Sequence, residues 1–304
     1  MSGYEGLRTR CAFIDLSRRG KIRVTGEDRA RFLHAMSTND IARLPGGSQL
    51  YAFFLNAQGR ILADAWIYNR WDSFWLDTEP ETSVRLQEHL DKYIIADDVT
   101  LENLTDSWAA IGIEGPESPV FLQSLDLGAL PAEAFVVPVA STGEHGGRVF
   151  LPNEAKPILL EKLAAASLPQ ATAEEARVVR MENKRPRYGE EITERYLVQE
   201  TDQLQAMHFN KGCYLGQEIV ERVRSRGQVH RFLKPIRIEG RQAPAAGTKI
   251  AVNGKDSGEV VSAVWSPALG SVIGFAYLRG DALRPNAPLQ ITVDSLAQKA
   301  SVRL

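Results

Sequence analysis

From Leu233 onward the chain is a series of short apolar runs, "PIRIEG", "GTKIAVNG", "GEVVSAVWS", "SVIGFAYLR" and "LQITV", cut apart by Gly, Pro and Asn. Runs this short, with turn residues between them, point to a small all-β barrel or sandwich and place a domain edge near residue 233. The texture before that edge is mixed. "TGEDRARFLHAM" carries Ala30, Leu33 and Met36 at helical spacing behind Thr25 and Asp28, a capping-box-like pair, which predicts a helix over about 26–36. "LPGG" stops it, and "QLYAFFLNAQGRILADAWIY" predicts a hairpin turning at Asn56 to Gly59. A strand at "SFWLD" leads to a helix behind Thr78 and Glu81, followed by strands at "DVTLENL" and "WAAIGIEG" and a helix opened by Pro116. Strands within 134–151, a helix over about 156–166 and another opened by Thr172 and Glu175 complete the body. The fold class is α+β rather than doubly wound, and neither G-x-G-x-x-G nor a P-loop occurs, so dinucleotide and P-loop chemistry have no support.

The chain of 304 residues is long enough for two or three domains. A net charge of -2 sets up no basic field, so direct nucleic-acid binding is not expected. The first residues lack a signal-peptide run, and no apolar stretch is long enough to span a bilayer; the expectation is a cytoplasmic protein with no membrane contact. Cys11 and Cys213 are the two cysteines, too few and too far apart for a disulfide framework.

Cys213 stands in "NKGCYLGQEIVERV", just ahead of a predicted helix over 217–226 in which Glu218 is early and Arg222, Arg224 and Arg226 are late, an order that suits the helix dipole. A thiol near that positive end, with Lys211 two residues away, has physical reasons to favour the thiolate. The alternative is a small buried apolar residue, as most free cysteines are. His208 lacks the partners of a metal site. The locally basic 221–234 segment reads as a solvated helix face and linker, with the carboxylates of a ligand tail, an acidic partner surface or a tRNA contact as the other readings.

"KGCYLGQE" resembles the K-G-C-Y-x-G-Q-E signature of the YgfZ family, folate-binding proteins that assist iron–sulfur cluster assembly and repair. "VTGEDRARFLHAMSTNDIARL", "LYAFFLNAQGRILADAWIY" and "AAIGIEGPES" are similar to segments of the wider superfamily that includes the glycine-cleavage T-protein. The resemblance implies a three-lobed T-protein-like body, two mixed α/β subdomains around a central folate channel, with a small C-terminal β-barrel. Its implied domains are 1–50 with 135–232, 51–134, and 233–304. It also implies tetrahydrofolate as the ligand and iron–sulfur client or assembly proteins as partners.

Asp64 and Tyr68 lie four apart on one predicted strand, hence on one face, with Tyr51 on the partner strand. On residues alone this is a sheet face with a solvated acid. The T-protein's D-D-x-x-x-Y stretch matches here with Asp64 as its second aspartate and Ala63 in place of the first, which implies that Tyr51, Asp64 and Tyr68 hold the folate. "RMENKRPRYGEEI" resembles R-x-E-x-G-x-P-x-x-G-x-E, which implies Glu182 as the grip on the pterin; the plainer reading pairs Glu182 with Arg180 or Lys184. The implied function is a tetrahydrofolate-binding accessory factor for iron–sulfur proteins, including tRNA-modifying enzymes, with Cys213, Lys211 and Asp64 as the chemical groups. The alternative is a folate-dependent aminomethyltransferase of T-protein type.

Overall fold

The computed structural model describes residues 1–143, 145–227, 229–293 and 296–303, and the Arg226 side chain also lies outside the described set. In chain order come α1 (Gly3–Thr9), β1 (Ala12–Asp15), β2 (Gly20–Thr25), α2 (Arg29–Met36), β3 (Gln49–Leu55), β4 (Ile61–Asn69), β5 (Phe74–Thr78) and α3 (Ser83–Asp91). Next are β6 (Thr100–Asn103), β7 (Trp108–Glu114), α4 (Ser118–Ser124), β8 (Phe135–Val137), β9 (Gly146–Pro152), α5 (Lys156–Ala165), α6 (Ala173–Glu182) and α7 (Gln217–Arg226). The chain finishes with β10 (Arg231–Ile238), β11 (Lys249–Val252), β12 (Lys255–Ser266), β13 (Ser271–Arg279), β14 (Leu289–Val293) and β15 (Leu296–Val302).

Among the described residues these strands form three sheets: β1-β7-β9-β8, β3-β4-β5-β2-β6, and a barrel closed in the order β10-β13-β12-β11-β14-β15. The α+β body with its C-terminal barrel is therefore the observed architecture. Closure removes the free edges that a stack of short strands would otherwise expose.

The sheets do not divide at residues 50 and 135. β2, inside the expected first domain, pairs with β5 and β6 of the second, while β7 leaves the second to pair with β1 and β9. Sequence order is a poor guide here because β2–β6 form one sheet without a break, while the other sheet takes β1 from before them and β7, β8 and β9 from after.

Alternation along β3, β4 and β5 sorts their side chains onto two faces. Ala52, Phe54, Ala63, Ala65, Ile67, Phe74 and Leu76 pack under α2 and α3 with Phe32, Leu33, Leu86 and Leu90. Tyr51, Phe53, Asp64, Trp66, Tyr68, Trp75 and Asp77 fall on the other face. Ala63 thus points into the helix-covered core, fully buried.

Three expected helix starts differ. Gly26 holds φ +102° and no side chain caps α2, so the helix begins at Arg29 and Thr25 closes β2. Thr78 does not cap α3; its hydroxyl donates to the Asp64 carbonyl at 2.5 Å, and a 3-10 turn at Pro80–Thr82 leads into the helix. The helix expected at Pro116 begins at Ser118, with Pro119 in its first turn. Thr172 and Glu175 do form a capping box at α6.

Candidate functional site

A cavity of about 800 Å³ lies where the Asp64 face of the β3–β4 hairpin meets α6 and the loop that follows it. Tyr51, Asp64 and Trp66 line one side, with Arg19, Glu79 and Arg187 beside them. The Tyr51 hydroxyl donates to Asp64 Oδ2 at 2.6 Å, and the Trp66 ring lies 5.4 Å from that of Tyr51. Asp64 is 5% exposed, and its Oδ1 is buried without a hydrogen-bond partner. A buried acceptor left unmet is costly in a folded protein, so this oxygen marks a place where a ligand donor would be rewarded.

Burial first, and the Glu79 charge second, push the Asp64 carboxyl up to about 7; the Tyr51 hydrogen bond and the Arg19 and Arg187 charges pull the other way. Asp64 is therefore poised to hold or release a proton near neutrality, the property a general acid or base needs. Burial, and after it the Asp64 charge, hold Tyr51 well above the usual phenol range, so it remains a donor. Glu79 bridges Arg19 and Arg187, tying the β1–β2 loop, the end of β5 and the segment after α6 around the cavity.

Tyr68 shares the Asp64 face but is not in the cavity. Two pairs further along β4 the second sheet covers that face: the Tyr68 ring lies 5.6 Å from Phe150, and its hydroxyl donates to Asp77 Oδ2 at 2.8 Å. Arg148 and Arg19 meet the same carboxylate. Tyr68 supports a buried ion cluster behind the site.

Glu182 is also away from the cavity lining. Its Oε1 accepts from Tyr4 at 2.8 Å and Ser266 at 2.5 Å, and its Oε2 accepts from Arg8 at 3.0 Å. The carboxylate joins α1, α6 and β12. Arg180, its other expected partner, bonds Glu190 and Glu191 instead.

Lys211 is buried, and its ammonium donates to the carbonyls of His34, Ser37 and Asn39 at 2.5, 2.6 and 2.8 Å. Those acceptors take all three of its N–H groups. Burial pulls Lys211 down to about 7, and the nearby Asp40 charge opposes the shift. It is committed to the end of α2 and not to the thiol. Cys213 is exposed, four residues before α7, while Cys11 is buried and burial pushes its thiol up to about 12. Gly212 and Glu218 are exposed as well, while Leu215 packs with the α2 core, Gln217 accepts from the Tyr214 N–H at 3.2 Å, and Gly216 abuts the Asn56 carbonyl. In the basic segment, Arg224 meets Glu221, Arg231 meets Glu200 and Lys234 meets Asp202, and none of these lines the Asp64 cavity; Gln228 and the Arg226 side chain lie outside the described residues.

Tetrahydrofolate, the ligand implied by the resemblance, fits part of this site. The unpartnered Asp64 oxygen suits an amine N–H, and the Tyr51 and Trp66 rings, tilted 45° to each other, offer aromatic surface beside it. Trp66 follows from alternation along the strand; Arg19, Glu79 and Arg187 carry no local sequence signal, because only tertiary packing brings them together. Among the described residues no group of acidic, His and Cys side chains is arranged to hold a metal ion, and no helix is long and apolar enough to cross a membrane.

The GCVT N-terminal domain matches residues 3–211, and the glycine cleavage T-protein C-terminal barrel domain matches 231–304. An aminomethyltransferase of Rubrobacter xylanophilus is 30% identical over 290 residues, covering 90% of this chain and 78% of the relative. An aminomethyltransferase of Caldanaerobacter subterraneus is 25% identical over 99% of this chain and 86% of the relative. The crystal structure of glycine cleavage system aminomethyltransferase T from Bartonella henselae superposes with a TM-score of 0.91 at 20% identity, covering 99% of this chain and 87% of that one, a likeness of fold.

Proposed function

We propose that this chain, which belongs to the glycine cleavage T-protein family, binds tetrahydrofolate in the Asp64 cavity and acts as a folate-dependent aminomethyltransferase. The observation that carries this reading is the buried Asp64 carboxyl beside the cavity, with Oδ2 held by Tyr51 and Oδ1 without a hydrogen-bond partner. Bound tetrahydrofolate would supply the amine nitrogens that receive the one-carbon unit. The protein's part is to orient an amine at Oδ1, hold or accept its proton, and keep water out with Tyr51 and Trp66. The exposed Arg18 and Arg185, which line the same cavity, suit the carboxylates of a folate tail.

The test is ammonia release from an aminomethyl-carrying lipoyl protein in the presence of tetrahydrofolate. Wild type is expected to release it and Asp64→Asn to lose most of that activity; equal release by the two would remove Asp64 from the chemistry.

A second reading, an accessory factor for iron–sulfur proteins of YgfZ type, is favoured by one observation: Cys213 is the exposed thiol of a loop whose other motif side chains are largely turned inward. One cysteine cannot hold a cluster alone, so this role needs a client or assembly partner to complete the ligand set. Cells lacking the protein are supplied with wild type or Cys213→Ser, and an iron–sulfur enzyme such as a radical methylthiotransferase is assayed. Recovery with wild type alone supports the role, and equal recovery with both removes the thiol from it.

A further inference from the structure

β3 is an edge strand: β4 pairs with one side of it, and its open side faces residues 37–39. Thr38 takes both polar groups of Phe53, its N–H donating to the Phe53 carbonyl and its hydroxyl accepting from the Phe53 N–H, each at 3.0 Å. Asn39 takes the next one: its Nδ2 donates to the Tyr51 carbonyl at 2.8 Å and to the Gln205 carbonyl at 2.9 Å. Tyr51 and Gln205 both line the Asp64 cavity. The turn is fastened from behind, where Lys211 donates to the carbonyls of Ser37 and Asn39. An unpaired edge slides and frays, whereas one with side-chain partners is fixed in register.

We infer that Asn39 is a positioning residue for the candidate site: it fixes the edge of β3 so that the Tyr51 phenol stays on Asp64, and Lys211 locks Asn39 in place. The inference rests on the reading of Asp64 as the ligand-binding carboxyl. It also gives Lys211 a task distinct from thiol activation, and it links the Cys213 loop to the cavity through a single intervening side chain. The phenol would otherwise drift from a carboxyl that faces Glu79, Arg19 and Arg187 as well.

The test follows the Asp64 carboxyl by carbon NMR across pH 5 to 9 in ligand-free wild type, Asn39→Ala and Lys211→Met, together with thermal melting. Loss of the Tyr51 bond moves the Asp64 midpoint upward by about half a pH unit or more, because that bond favours the ionised form. An unchanged midpoint in a variant that only melts earlier overturns the inference, since a purely structural role lowers the melt without moving the titration. If Asn39→Ala does not fold, Asn39→Asp keeps the shape and removes the donor, and the same criterion applies. Tetrahydrofolate is then titrated into each protein. Binding about tenfold weaker than wild type is expected for both variants, and wild-type affinity in both overturns the inference. A wild type that binds no tetrahydrofolate counts against the proposed function, and the ligand-free titration then decides this inference.

Discussion

Tyr51 and Asp64 sit two residues apart in register on β3 and β4, with Tyr51 opposite Trp66 and Phe53 opposite Asp64, and their side chains meet in a 2.6 Å hydrogen bond on the cavity face. Burial and the Glu79 charge make this carboxyl sensitive to pH, and the Tyr51 bond only moderates the shift. The folded carboxyl titrates near 7 against an ordinary 3.8, so between those values the folded chain keeps a proton that the unfolded chain has released, and stability falls as pH rises. Asp64→Asn removes this penalty. The variant is expected to match wild type near pH 4 and to exceed it at pH 8 by about 1–4 kcal/mol, measured by urea unfolding at both values. A gap that does not grow with pH would contradict the shift.

Behind the site, Asp77 collects Tyr68, Arg19 and Arg148, all buried. Arg148→Met leaves part of that carboxylate uncompensated and is expected to cost about 3 kcal/mol. Adding Asp77→Asn should restore a good part of the loss, because the charge that needed Arg148 is then gone. Chemical denaturation of both variants measures this, and a double variant no better than the single one refutes it.

Gly216 has φ +82°, and a Cβ there would lie 2.7 Å from the Asn56 carbonyl and 3.3 Å from the Gly59 Cα. Gly227, at the other end of α7, has φ +62° with nothing within 4 Å of such a Cβ. Gly227→Ala therefore carries only the backbone penalty of about 1 kcal/mol, whereas Gly216→Ala adds a collision and is expected to cost about 3 kcal/mol. Equal melting temperatures for the two variants would mean that the hairpin turn and the α7 start do not press on each other.

A thiol reagent added to native protein is expected to label Cys213 at once and Cys11 only after unfolding, since one is exposed and the other buried. Cys213→Ser should leave stability within about 0.5 kcal/mol of wild type. Mass spectrometry of the labelled peptides decides the first point and a melt the second.

Much of this fold was legible in the chain. The barrel followed from short apolar runs with turn residues between them, and the hairpin from "LNAQGR", whose Asn56 side chain accepts from the backbone of Gln58 and Arg60. Alternation correctly put Asp64 and Tyr68 on one face, but it says nothing about where a second sheet covers that face, and so Tyr68 read as a site residue. The partners of Glu182 and Lys211 were not legible either: a charged side chain in a motif does not announce its partner, and theirs are carbonyls, hydroxyls and an arginine from distant segments. Strand partners were hidden too, since β1 pairs with β7 across the whole of the β2–β6 sheet.

Glu182 joins Tyr4 and Arg8, near the start of the chain, to Ser266, close to its end. On the ribosome this carboxylate waits for its last donor until the barrel strand carrying Ser266 has emerged, well after α1 and α6 have been made. Until then the barrel strand that covers this carboxylate is missing along with its donor, so the join between body and barrel stays open to water.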